Sequence, residues 1–298
     1  MDVNHITAEP DPDTAVAAYT SQLARLDAPP ALPGDAELGP ALPEAADLPA
    51  VRVSAAGAAP AAEGVVIYVH GGGFEHRTPK VINLVAHRFS RAVGRPVLSV
   101  HYRLAPDHPY PAPLEDVLTV YRTALDQGVP AERIVLLGES SGAALVLSAL
   151  LAIRDSDTPL PAGAVTFSAM TDMTVSSPSV DADPPHDAVE RAMLTDLIGR
   201  YLGGARADEA PQSPLHGSLE GLPPLLMAVG GAEALRDDTL RFAESADAAG
   251  STVEVDVYDA MPHVFHLLTI DEDDPTGGKV LERTGAWIAS RIRGAGSA

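Results

Sequence analysis

Short apolar runs recur along the chain from Val65 onward. Val65-Val66-Ile67-Tyr68-Val69-His70 is the first, and residues 96–100, 134–137, 164–167, 225–229 and 253–258 follow. Each is bounded by turn residues and set apart from the next by a segment long enough for a helix. Helical spacing of apolar residues occurs at 82–92, 113–124, 141–153, 188–202, 238–249 and 280–291. Parallel strands need long crossovers, and strands covered on both faces are apolar almost throughout. The pattern therefore predicts an α/β fold with a mostly parallel central sheet and helices on both faces. Ahead of it, residues 14–26 carry Val16, Ala17, Tyr19, Leu23 and Leu26 at helical spacing. A Pro- and Ala-rich connection over 27–62 then leads into the first strands, with Val51-Arg52-Val53 as one apolar piece. There is no internal repeat and no flexible linker, so residues 1–298 are expected to form a single domain.

Composition narrows the function. Hydrophobic residues make up 46% of the chain, enough for a sizeable core. With no cysteine, disulfides, thiolate nucleophiles and cysteine-bound zinc are excluded. The formal charge of −21 would repel nucleic acid and anionic membranes. No run approaches the length of a membrane span, and the first thirteen residues have no signal-peptide pattern, so a cytoplasmic protein is the expectation.

Gly138-Glu139-Ser140-Ser141-Gly142 follows the strand at 134–137 and opens the helix at 141–153. A G-x-S-x-G sequence between strand and helix forms a sharp elbow that lifts the serine above the sheet. Ser140 has glycine on both sides at two residues' distance, and Ser141 does not, so Ser140 is the expected nucleophile.

His70-Gly71-Gly72-Gly73-Phe74 follows the strand ending at Val69. Three glycines let backbone N–H groups approach a ligand closely. An oxyanion hole needs such donors, and Gly72, Gly73 and Ser141 are the candidates, with Gly71 shaping the turn and His70 anchoring the loop.

A serine nucleophile needs a base, and the base needs an acid. His263, in the loop after the strand at 253–258, is the expected base, with His266 as its rival. After the strand at 225–229, Glu233 stands nearest the strand end and is the expected acid. Asp237 and Asp238 instead suit the first turn of the next helix, although Asp237 stays an alternative acid. The order Ser140, Glu233, His263 is the one this kind of fold uses.

These motifs resemble the hormone-sensitive-lipase-like esterases of the α/β-hydrolase superfamily (bacterial family IV), from about Gly64 to the end. The resemblance rests on His70-Gly71-Gly72-Gly73-Phe74, the elbow, and Tyr102-Arg103-Leu104-Ala105-Pro106-Asp107-His108-Pro109-Tyr110-Pro111 with Leu114-Glu115-Asp116. Family members have Gly-Asp-Ser-Ala-Gly at the elbow and Asp-Pro-Leu at the acid; here Glu139, Ser141 and Glu233-Ala234-Leu235 depart from that. The family histidine, two residues after a methionine, corresponds to His263. The resemblance implies that the Tyr102 run packs beneath the active site. It also implies a small helical cap built from about 1–45 and 172–205.

A serine carboxylesterase of short-chain acyl esters, working through a Ser-His-Glu triad and an acyl-enzyme, is therefore expected. No cofactor or metal is called for, and the expected partner is a small-molecule ester. Amide (N-acetyl) deacetylation, lactone hydrolysis or acyl transfer on the same site is the alternative. Activity should fall below about pH 6.5, the ordinary histidine value. Oligomeric state is open, a homodimer included.

Overall fold

The computed structural model describes residues 1–7, 17, 20–21, 24, 26, 28–42, 47–182, 187 and 189–294. Among them are nine strands: β1 (Asp2–Thr7), β2 (Glu37–Pro40), β3 (Ala50–Ser54), β4 (Val65–Val69), β5 (Val97–Val100), β6 (Ile134–Glu139), β7 (Gly163–Phe167), β8 (Leu225–Gly230) and β9 (Val253–Asp259). Six helices accompany them: α1 (Pro79–Val93), α2 (Ala112–Asp126), α3 (Ser141–Arg154), α4 (Arg191–Leu202), α5 (Arg236–Ala248) and α6 (Pro275–Gly294). All strands form one sheet in the order β1-β9-β8-β7-β6-β4-β5-β3-β2, parallel except where β3 joins β5 and β2 joins β3.

Residue alternation sorts the core onto two faces. Ile67 and Leu136 point into one apolar cluster with α2 and α3, while Val66, Tyr68 and Val135 point into a second with α1 and α6. Full burial of such side chains contributes roughly 1.5–3 kcal/mol each. Helix α3 is apolar nearly all round and is correspondingly buried from Ser141 through Leu151. Local signals set helix ends: α1 begins on Pro79 and stops where Gly94, at φ 63°, returns its N–H to Ser90.

Two edge strands differ from expectation. The resemblance places residues 2–7 and 37–40 within the cap, yet both pair with the sheet, β1 with β9 and β2 with β3. Neither shows an apolar run, because an edge strand is held by backbone hydrogen bonds and little burial. Most of the helix expected at 14–26 lies outside the described residues, although Ala17, Thr20, Ser21, Ala24 and Leu26 are helical. The proline-rich stretch at 176–185 also lies partly outside them.

The strand order reverses between β4 and β6: the chain passes from β4 to β5 on one side, then returns to place β6 on the other. In open parallel sheets the ligand crevice opens at the strand C-termini at such a reversal. Here those two ends are Val69, which leads into the glycine loop, and Glu139, which leads into Ser140.

Candidate active site

Ser140 sits at the turn between β6 and α3 with φ 50° and ψ −121°, a conformation a non-glycine residue adopts only under strain. The glycines flanking it make the turn possible. A Cβ on Gly142 would stand 2.2 Å from the Val69 carbonyl, and one on Gly138 2.6 Å from the Gly142 carbonyl.

His263 follows β9 and Glu233 follows β8, and both side chains are buried. His263 Nε2 lies 2.9 Å from Ser140 Oγ, and its Nδ1 lies 3.2 Å from Glu233 Oε2. Since a carboxylate can only accept, Nδ1–H donates to Glu233 and Nε2 is left to accept from the serine hydroxyl. Burial pulls the imidazole pKa down, but the hydrogen bond and charge of Glu233, aided by Asp187 and Glu139, raise it above 6.5. The onset of protonation is therefore higher than the sequence suggested. Burial raises the Glu233 carboxyl, offset in part by His263 and by the Ser168 hydroxyl. Ser168 Oγ also accepts the N–H of Val264 at 3.2 Å, fastening the histidine loop to the end of β7.

His266, the rival base, is directed elsewhere: its Nε2 contacts Glu139 Oε2, and its ring stacks on Phe167. Asp237 and Asp238 lie in the first turn of α5. Asp237 accepts the Ser179 N–H at 3.0 Å, and Asp238 accepts those of Thr171 and Asp172 at 2.8 and 3.0 Å.

The glycine loop is fixed from below. His70 Nδ1 donates to the Gly71 carbonyl at 2.6 Å, and the His70 ring stacks on Tyr102 with centroids 4.4 Å apart. Burial lowers the His70 pKa to about 4, so the ring is neutral. The Tyr102 hydroxyl donates to the His70 carbonyl at 3.0 Å, and the Ala105 N–H to that of Phe74 at 3.0 Å. Arg103 is held in turn by Asp116, whose Oδ2 accepts its N–H at 2.7 Å.

Two elbow residues that depart from the family pattern also hold this loop. Glu139 Oε1 accepts the Gly71 N–H and the Tyr68 hydroxyl, while Ser141 Oγ accepts the Phe74 N–H at 3.2 Å. Sequence reasoning missed this role for Glu139. A carboxylate at the end of a wholly apolar strand, beside a glycine loop, was the available signal. Among the described residues, no acceptor takes the N–H of Gly72 or Gly73. Both line a cavity of about 460 Å³ together with Ser140 and His263. Its walls are mainly aliphatic, Met170, Leu194, Leu197 and Leu235 among them.

Residues 66–267 match the family model described as an alpha/beta hydrolase fold. The chain belongs to the α/β-hydrolase family. An acetyl-hydrolase of Streptomyces hygroscopicus is 37% identical to it over 224 residues, covering 75% of this chain and 74% of that protein. The crystal structure of an esterase from the bacterial hormone-sensitive lipase family superposes with a TM-score of 0.86 at 32% identity, covering 96% of this chain and all of that one. Crystals of EstE5 soaked with p-nitrophenyl butyrate gave a structure with a TM-score of 0.82 at 30% identity, covering 96% and 93%. Among α/β-hydrolases, the chain is thus a hormone-sensitive-lipase-like member and a hydrolase of the esterase and acetyl-hydrolase group. No helix among its described residues is long and apolar enough to cross a membrane.

Proposed function

We propose that the protein is a serine carboxylesterase that hydrolyses short-chain acyl esters. The observation that carries this reading is the unbroken line Glu233–His263–Ser140, with contacts of 3.2 and 2.9 Å, opening onto the glycine-lined cavity. Ser140 Oγ attacks the ester carbonyl while His263 Nε2 takes its proton. Glu233 holds the imidazole in the right tautomer and stabilises its cation. The N–H groups of Gly72, Gly73 and Ser141 receive the tetrahedral oxyanion. His263 returns the proton to the departing alcohol. Water then releases the acid from acyl-Ser140 by the same route.

Residues 172–205, together with the part of 1–45 outside the two edge strands, act as the cap. The reach of Leu26, Val189 and Met193 to the cavity supports that assignment. A volume of about 460 Å³ lies toward the small end of small-molecule sites and favours compact acyl groups.

Hydrolysis of p-nitrophenyl acetate, butyrate and octanoate by wild type and Ser140→Ala tests the reading. Turnover of the shorter esters, abolished in a folded Ser140→Ala protein, is the expected outcome. Turnover that survives the substitution would overturn it. A second reading, release of acetyl from an amide, draws on the relative named an acetyl-hydrolase. Paired acetyl ester and N-acetyl substrates separate the two.

A further inference from the structure

Helix α4 meets the glycine loop through three side chains on one face. Leu197, Arg200 and Tyr201 stand at the three- and four-residue spacing that aligns a helix face. A Cβ on Gly73 would lie 3.6 Å from Leu197. Tyr201 stacks on Phe74 with ring centroids 3.7 Å apart and planes 9° from parallel. Arg200 grips Glu75 with one edge of its guanidinium: Nη2 donates to Oε2 at 3.0 Å, and Nε contacts Oε1. Asp196, one turn earlier, contacts the same guanidinium through Nη1.

A rim ion pair of this kind adds little to stability. What a bidentate guanidinium–carboxylate pair supplies is direction. The Glu75 carboxylate, 13% exposed against 39% for Arg200, is the more enclosed partner. Its residue is tied to the loop by its backbone: the N–H groups of Glu75 and His76 donate to the Gly72 carbonyl at 3.1 and 2.9 Å. That carbonyl belongs to the same peptide plane as the Gly73 N–H. In a planar trans peptide the two groups point in opposite directions, so fixing one aims the other.

We propose that Arg200 is a positioning residue for the oxyanion hole, acting through Glu75 to set the direction of the Gly73 N–H. This rests on the reading of Gly72 and Gly73 as oxyanion donors. The cap helix then does more than shape the pocket: its last turn is part of the support of the reacting centre.

Kinetics of Arg200→Met, Arg200→Lys and Glu75→Gln on p-nitrophenyl acetate test this, alongside binding of an aryl trifluoromethyl ketone. The ketone adds Ser140 Oγ to its carbonyl carbon and so places a negative oxygen in the hole. Both neutralising variants should lose roughly tenfold in kcat with KM held within about twofold, a smaller loss than the roughly 10²–10³ for removing a donor outright. Ketone affinity should fall by the same factor. Arg200→Lys, which keeps the charge but not the fork, should fall in between. Arg200→Met with Glu75→Gln should be no worse than either alone, as for two partners of one interaction.

Unchanged kcat and ketone affinity in folded variants, or a change confined to KM, would overturn the proposal. Should Arg200→Met fail to fold, Arg200→Lys and Glu75→Gln give the same readouts. A wild-type protein that neither turns over the ester nor forms the ketone adduct would defeat the oxyanion reading itself. Failure of the Arg200 proposal alone leaves both wild-type properties intact.

Discussion

Glu139 Oε1 accepts the N–H of Gly71 at 3.0 Å, so the residue before Ser140 also ties down the loop facing it. The Tyr68 hydroxyl, at 2.7 Å, and His266 share that carboxylate. Glu139→Ala would strand these buried partners, and breaking such a buried pair costs about 3–5 kcal/mol. Urea denaturation should register that loss, with kcat falling in the fraction that stays folded. Burial alone would raise the Glu139 carboxyl, but the charge of His266 and the bonds from His266, Gly71 and Tyr68 outweigh it and lower its pKa from 4.5 to about 2. A depressed carboxylate gives stability that is present above pH 4.5 and lost as pH falls through about 2. In Glu139→Gln this acid-side dependence should be weaker.

The acid limb of the activity profile should sit above pH 6.5, because the His263 pKa is raised and its neutral form is the base we propose. Replacing Glu233 by Gln removes the charge that raises it and should move the limb toward lower pH. For stability the sign is opposite. The raised His263 value contributes fully below 6.5 and is lost as pH rises through the folded-state value. A pH series of kcat/KM for wild type and Glu233→Gln checks the first statement, and thermal melts across the same range check the second.

Glu233 and Asp237 should separate cleanly. Glu233→Gln is expected to cost roughly 10⁴ in kcat, as the matching acid-to-amide change does in a serine-protease triad. Asp237 accepts the Ser179 N–H instead, at 3.0 Å, so Asp237→Asn should keep activity within about threefold on a surface-type change. Steady-state rates on one short ester suffice. Equal losses in the two variants would contradict the assignment of the acid.

Gly142→Ala would push a methyl group to 2.2 Å from the Val69 carbonyl and 2.4 Å from that of His70. Over-packing costs of roughly 1–3 kcal/mol, occasionally more, are the reference, and this site belongs at the upper end because backbone is the obstacle. Gly199→Ala, inside α4 with nothing near an added Cβ, is the control and should melt at or slightly above the wild type, since alanine suits a helix interior better than glycine. Comparable midpoints for the two variants would contradict this steric account.

The central sheet was legible because its strands are covered on both faces. Val65–Val69 and Leu225–Gly230 are buried throughout, and their apolar runs say so. The elbow and the glycine loop were legible because a strained turn and a close backbone approach leave few residue choices. Asp2–Thr7 was not, since an exposed edge strand needs no apolar pattern. Nor was the grip of Arg200 on Glu75, which joins residues 125 apart on two surface-facing elements. No spacing rule links them until the fold brings them together.

β1 lies beside β9, with Asp2 opposite Glu254 and Thr7 opposite Asp259. During synthesis this strand has no partner until β9, near the far end of the sheet's sequence, has emerged. The sheet can form from β4 outward while that short segment waits. Its docking is then a late closing step whose loop-closure entropy is met only after the rest of the sheet is in place. Nascent chains halted before β9 would leave Asp2–Thr7 open to proteases, and full-length chains would shield them.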